Sequence, residues 1–192
     1  MRVNAPRGFT LIEMIIVITV TAIAMTVTAI AMTGITTALY PRSQQSAEQV
    51  LAVKAAELGR AVMDEVMGRA FDQNSGPKGG LPECLLSGAV EEMCTAHDAL
   101  GKDGEASINQ YNDVDDFITT QPRPIEDVLG TLLDTSSYRG FTVTIAAFYE
   151  QDGGGQLSGV NANQLTHYKR VSVVIIDPKG NRYPFAAIKG NF

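Results

Sequence analysis

The sequence predicts an α+β fold: a long N-terminal α-helix spine whose first half is embedded in a membrane, followed by a small antiparallel β-sheet packed on its second half. Three observations carry this. An apolar run from Met14 to Leu39 contains no charged residue. Beyond Pro41, Leu51, Ala55, Leu58, Val62 and Val66 recur at three- and four-residue steps, with Glu48, Lys54, Glu57, Arg60, Asp64 and Glu65 on the other faces, which is the pattern of an amphipathic helix. Near the C-terminus, residues 142–149, 168–176 and 182–188 read as strands, rich in β-branched and aromatic side chains.

The apolar run comes first in the chain. At about 1.5 Å per residue it reaches roughly 39 Å, enough to cross a hydrocarbon layer of about 30 Å with tilt. Glu13 stands at its start, where an ionised side chain in lipid costs a few kcal/mol unless it finds a partner, so it reads as functional. The first seven residues hold Arg2 and Arg7 and no acid, which places the N-terminus in the cytoplasm and the rest of the chain outside. In a secretory signal the small-residue cleavage site follows the apolar core; here Gly8 precedes it.

Gly8-Phe9-Thr10-Leu11-Ile12-Glu13 resembles the processing site of type IV pilins and of the pseudopilins of type II secretion. The resemblance implies that prepilin peptidase cuts between Gly8 and Phe9, that Phe9 is then N-methylated, and that Glu13 pairs with the α-amino group of Phe9 on a neighbouring subunit during assembly. It also implies a type IV pilin-like fold, with residues 1–8 a leader, 9–40 a transmembrane and assembly helix, 41–72 its amphipathic extension and 73–192 an extracytoplasmic domain.

Within the helix, Val20 to Thr26 is repeated at once as Val27 to Thr33. Ala22, Thr26, Ala29 and Thr33 form a small-residue stripe, suited to close helix approach in lipid or in a filament; a tolerated duplication is the plainer reading. The threonine hydroxyls can bond back to their own helix or across to another. Pro41 removes a backbone donor, so a kink or short break is expected there. The helix is expected to fray near Phe71 and Asp72, before Asn74-Ser75-Gly76-Pro77. A single helix from Phe9 to Ala70 would span about 90 Å.

The soluble part, about 150 of the 192 residues, is the size of one domain. The net charge of -6 and the scattered basic residues exclude the electrostatic footprint of a nucleic-acid binder. No tryptophan and 18 glycines suit a loop-rich domain. Cys84 and Cys94 are the two cysteines, and beyond a membrane they most simply form a disulfide, whose short ring contributes about 3 kcal/mol on the loop-entropy account. Cys84, Cys94, His97 and Asp98 could also form a metal set, but thiolates in an oxidising compartment go to the disulfide first. The connector 76–80 is glycine-rich without the strand before it or the Gly-Lys-Ser/Thr ending that phosphate binding needs. No cofactor is expected.

Tyr111-Asn112-Asp113-Val114-Asp115-Asp116-Phe117 gathers three carboxylates between aromatic residues. Asp113, Asp115 and Asp116 are weak calcium candidates, lacking the glycine and distal glutamate of a calcium-binding helix-loop-helix; a capped turn or solvated acidic loop is the alternative. The segment resembles one in the MshD-like minor pilins of the mannose-sensitive haemagglutinin (MSHA) pilus, where Tyr and His-Gly often follow; here Phe117, Ile118 and Thr119 stand instead. Residues 125–133 read as one short helix. In the sheet, Val171, Val173 and Ile175 are expected to face the spine helix beside Phe141, Val143 and Ile145. Asp177-Pro178-Lys179-Gly180-Asn181 is turn chemistry that pairs the last two strands, whereas the stretch from Asp152 to Gln164 is expected to be a mobile loop.

The resemblances imply a minor structural subunit of an MSHA-type pilus, held in the bacterial inner membrane and then assembled into an extracellular filament for attachment. Its partners would be other pilin subunits, prepilin peptidase, and the assembly platform and motor, since the chain has no nucleotide site of its own. A minor pseudopilin of type II secretion is the alternative, and a filament-tip adhesin a third, with surfaces near Tyr111 or Gly154. No Gly-x-Ser-x-Gly occurs and neither His97 nor His167 has a motif partner, so an enzyme is not expected.

Overall fold

The computed structural model describes residues 8–76, 82–129, 137–154 and 156–192. Helix α1 (Leu11–Met67) precedes a long loop region with 3-10 turns at Val90–Glu92 and Ile108–Gln110. Strand β1 (Arg123–Pro124), helix α2 (Glu126–Leu129) and strands β2 (Thr142–Asp152), β3 (Leu157–Asn161), β4 (Tyr168–Ile176) and β5 (Arg182–Gly190) follow. All strand pairings are antiparallel, in the order β1-β2-β4-β5 with β3 also on β2. A long N-terminal helix and then a small antiparallel sheet is the α+β, pilin-like arrangement.

The chain divides into two units, Met1–Gln49 and Val50–Phe192. In the first, Leu11–Thr37 forms 27 residues of helix with mean hydropathy 2.4 and no burial, long and apolar enough to cross a membrane. Seven threonines, at 19, 21, 26, 28, 33, 36 and 37, each donate their hydroxyl to backbone carbonyls three and four residues back. These hydroxyls are therefore satisfied within the helix, and Thr26 and Thr33 in the repeated heptads offer neighbours methyl groups rather than polar ones. Helix α1 continues through Pro41, so the short break expected there does not occur.

In the second unit, the apolar stripe of α1 is core. Ala55, Leu58, Val62 and Val66 are buried with Phe141, Val143 and Ile145 of the β2 region and Val171, Val173 and Ile175 of β4. Tyr111, Val114, Phe117, Ile125 and Val128 close the same cluster. Gly59 lets the Phe185 ring lie against the helix: a Cβ there would meet the ring at 2.2 Å. The helix ends at Met67, before the fraying point expected at Phe71 and Asp72. Its chain is drawn away at Ala70, whose N–H donates to the Asn112 carbonyl at 3.0 Å and whose carbonyl accepts from Val114 N–H at 3.2 Å. Lys189 Nζ donates to the Met67 carbonyl at 3.0 Å, placing a cation at the negative end of the helix.

Strands β2, β4 and β5 occupy the three predicted stretches, with β2 and β5 running further than expected. Two strands were not anticipated. β1 is two residues long, and β3 stands where a mobile loop was expected, with all five residues exposed. β3 is tied to the end of β2: the Glu150 carboxylate accepts from Gly159 N–H and from Arg170. Of the helix expected over 125–133, the described part is Glu126–Leu129; residues 130–133, like 77–80 of the glycine-rich connector and the N-terminal Arg2 and Arg7, lie outside the described residues.

The β4–β5 turn is organised by Asp177. Its Oδ1 accepts from the N–H groups of Lys179 and Asn181 at 2.8 and 2.9 Å, and its Oδ2 from the Asn181 amide and the Tyr183 hydroxyl at 2.8 and 3.3 Å. Burial alone would raise this carboxyl, but the bonds to Asn181, Lys179 and Tyr183 outweigh it and hold it below the ordinary aspartate value. Its stabilisation is therefore full above about pH 4 and lost as pH falls through the lowered folded value. Asp177→Ala should cost about 1–2 kcal/mol at pH 7. Urea unfolding of parent and variant checks this, and the difference between them should shrink toward pH 2.

A second apolar cluster joins Phe71, Cys84, Cys94 and Tyr149. Cys84 and Cys94 are disulfide-bonded, with Cα atoms 4.9 Å apart. The ring is also closed by hydrogen bonds, from Leu85 N–H to the Glu92 carbonyl (2.7 Å) and from Cys94 N–H to the Leu85 carbonyl (2.9 Å). Asn191 clasps it from beyond β5, donating to the Cys84 carbonyl at 2.9 Å and accepting from Cys84 N–H at 3.2 Å.

Candidate functional site

Gly8 and Phe9 are exposed ahead of α1, Phe9 to 75%, and a Cβ at Gly8 would meet nothing within 4 Å. Among the described residues, nothing packs against that position so as to require glycine. Glu13 lies in the first turn of α1, where a negative charge suits the helix dipole. Its Oε2 accepts from both the N–H and the hydroxyl of Thr10, at 3.0 and 2.9 Å, while Glu13 N–H reaches back to Thr10 Oγ1 at 3.4 Å. This is a capping box, and it supplies the carboxylate with donors inside its own chain.

In the domain, the acidic segment is not solvated. Asp113, Asp115 and Asp116 are buried, as is Asp72 just after α1. Period-two alternation in β4 brings Lys169 inward on the face of Val171, Val173 and Ile175, and it too is fully buried. Lys169 Nζ donates to Asp115 Oδ1 (2.6 Å), the Phe71 carbonyl (2.8 Å) and Asp72 Oδ2 (2.9 Å), so all three ammonium hydrogens have acceptors. The rings of Phe71 and Tyr149 lie 4.8 and 5.2 Å from it. Burial alone would push Lys169 down, but the carboxylates of Asp115 and Asp72 outweigh that and hold it above the ordinary lysine value. Tyr149 donates to the Thr95 carbonyl at 2.7 Å, and burial together with the charge of Asp72 pushes its phenol well up, so it stays neutral.

Asp113 and Asp116 cap one turn reciprocally. Asp113 Oδ1 accepts from the N–H groups of Asp115 and Asp116 at 2.9 and 3.3 Å, and Asp116 Oδ2 from those of Asn112 and Asp113 at 2.8 and 3.2 Å. Burial first, then the charge of Asp115, pushes the Asp113 carboxyl up to about 8. Burial also raises Asp116, with Glu105 and Asp115 adding to it against the backbone bonds. The capped turn is thus present, and the solvated loop is corrected. Asp115 is committed to Lys169 and to Gly101 N–H (3.2 Å). Tyr111 is buried, which removes it from any exposed adhesive surface.

The other metal set does not assemble. His97 and Asp98 are exposed. Ligand atoms of Asp72, Cys84 and Cys94 do lie within 4.8 Å of one another, but both sulfurs are in the disulfide.

Residues 4–29 match the family described as the prokaryotic N-terminal methylation motif. The match supports the type IV pilin and pseudopilin class. No curated protein and no solved structure matches the chain. For a pilin or pseudopilin, the motif implies processing by prepilin peptidase, assembly with other pilins and a structural rather than enzymatic role. The apolar helix with this motif fits an inner-membrane anchor.

Thr10, Asp72 and Lys169 were missed as site residues by sequence reasoning. Two of them carried a signal: Thr10-x-x-Glu13 has capping-box spacing, and Lys169 occupies an inward position of a strand whose alternation was legible.

Proposed function

We propose that this chain is a minor structural subunit of a type IV pilus, of the MSHA type, cleaved between Gly8 and Phe9, N-methylated at Phe9 and added to an extracellular filament through its apolar helix. Before assembly it sits in the inner membrane with its N-terminus in the cytoplasm and its domain in the periplasm. The observation that carries this reading is the Gly8–Glu13 motif at the head of an exposed apolar helix. Glu13 answers the new amino group of Phe9 on a neighbouring subunit, exchanging its bonds to Thr10 for a charged partner. The choice of the MSHA type over a type II secretion pseudopilin rests on the resemblance of the acidic-aromatic segment 111–117 to that of the MshD-like minor pilins.

Gly8→Leu tests the processing step. A Cβ at this position meets nothing within 4 Å among the described residues, so the protein should fold and insert normally yet retain its leader. Intact-mass measurement of the membrane fraction checks this, and a chain still beginning at Phe9 would remove the assignment. Co-purification with pilin subunits rather than with secretion-channel components tests the choice of filament.

A further inference from the structure

We propose that the folded domain keeps one proton inside its buried carboxylate cluster, on Asp113, and that this proton latches the turn Asp113–Asp116 to the chain leaving helix α1, so that losing it releases the turn. The count of charges leads there. Asp72, Asp113, Asp115 and Asp116 are 0–1% exposed, and among the described residues Lys169 is the one buried ammonium that any of them touches. Its three hydrogens go to Asp72, Asp115 and the Phe71 carbonyl, so Asp113 and Asp116 gain no contact with it. An ionised carboxylate held out of water without a cation is strongly disfavoured, and such a group takes up a proton instead.

Geometry puts that proton on Asp113. Asp72 and Asp115 answer Lys169 at 2.9 and 2.6 Å. The Asp113 carboxyl lies within hydrogen-bonding reach of the Asp115 carboxylate, and its Oδ2 is buried with no donor to accept from. Two ionised carboxylates so placed repel, whereas one proton between them makes a charge-assisted hydrogen bond and turns the orphaned oxygen into a donor. Burial first and the charge of Asp115 second push the Asp113 carboxyl up to about 8, against the pull of Lys169. With their oxygens on backbone N–H groups, on Lys169 and on this proton, Asp113, Asp115 and Asp116 are assigned no ion.

The other charged neighbours do not supply a counter-ion. On the loop beside the turn, Glu105 acts on Asp116, and Asp103 is itself raised by burial and then by Asp115 and Glu105. Lys102 lies over the Tyr111 ring, Arg69 bonds to Glu65, and Lys189 of β5 bonds to the Met67 carbonyl. Tyr149 of β2 stays neutral. The latch itself is the pair of Ala70 bonds, to the Asn112 carbonyl and from Val114 N–H, which flank Asp113. Ionised Asp113 would stand beside Asp115 without water, and swinging the turn outward relieves this at the expense of both bonds.

Folded Asp113 keeps its proton to about pH 8, whereas an unfolded aspartate loses it near pH 4. Between those values unfolding releases one proton, so stability falls as pH rises and levels off above about pH 8.

The test uses the full chain in detergent and does not depend on the filament role. Asp113→Asn keeps an oxygen acceptor and offers N–H donors toward Asp115. In urea unfolding, the ratio of the parent's unfolding constant to that of Asp113→Asn should rise about tenfold per pH unit from about pH 5 to about pH 7 and level off above about pH 8. Hydrogen exchange, corrected for intrinsic rates, should show protection over residues 112–116 falling about tenfold from about pH 7 to about pH 9 in the parent and holding steady in Asp113→Asn. Asp98→Asn, an exposed acid elsewhere, should behave as the parent. If Asp113→Asn does not fold, the ¹³C resonance of the Asp113 carboxyl in the parent decides, with a midpoint expected at about 8. A carboxyl already ionised at about pH 6, a ratio that does not change with pH, or protection lost equally in Asp113→Asn would overturn the latch. So would a slope that disappears in Asp116→Asn and survives in Asp113→Asn.

Discussion

Lys169→Met is expected to lower the unfolding free energy of the domain by about 3–5 kcal/mol, the range for breaking a buried ion pair on one side. The side chain is removed without a large change in volume, so the loss is electrostatic. Asp72 and Asp115 remain buried with their cation gone, and the Phe71 carbonyl loses its donor. Against a typical total of about 5–15 kcal/mol, such a loss leaves a domain that is proteolysed readily at 37 °C. Urea unfolding of the detergent-solubilised chain measures it. The triple variant Lys169→Met, Asp72→Asn, Asp115→Asn should recover a substantial part of the loss, because the uncompensated charges are removed with the cation. A single variant within about 1 kcal/mol of the parent would show that the network does not hold the fold.

The second large effect is expected at Glu13. Glu13→Gln retains an oxygen that can accept from Thr10, so the capping box and membrane insertion should persist, but the negative charge is lost. If a neighbour's ammonium answers that charge, the variant should accumulate in the membrane, processed after Gly8, while its content in sheared filaments falls at least about tenfold, the equivalent of 1.4 kcal/mol. Glu13→Ala loses cap and charge together and should fall as far. Immunoblots of membrane and filament fractions separate the cases. Normal filament content of the glutamine variant would remove the pairing role and leave Glu13 as a helix cap alone.

What could be read from the sequence follows from how local each signal is. The apolar helix, its amphipathic continuation and strands β2, β4 and β5 write their periodicity into consecutive residues, so they were legible. β3 was not: Leu157-Ser158-Gly159-Val160-Asn161 buries nothing, so it carries no alternation, and it exists because Glu150 and β2 hold it. The acidic segment read equally as a capped turn or a solvated loop because composition shows charge but not what covers it. Its cover arrives from Lys169, 54 residues on, and from the bridge between Ala70 and Asp113. The processing motif was legible because a peptidase reads it as sequence. The filament type has no such short signature, and it stays with the proposal.

The Asn191 clasp bears on the order in which the covalent bond is made. Because the Leu85 hydrogen bonds to Glu92 and Cys94 close the Cys84–Cys94 ring without help from sulfur, while Asn191 fixes the Cys84 backbone and reaches Cys94 through its Sγ at 3.6 Å, a chain folded before oxidation would already hold its two thiols as neighbours. The effective concentration of one thiol at the other is then set by the fold, and an oxidant need deliver only electrons' removal, not a search. With two cysteines in the chain, no competing internal pairing exists. The backbone bonds of Leu85 and Asn191 do not depend on the sulfur bond, so a reducing episode is expected to weaken the loop without releasing it, and reoxidation to restore the one bond available.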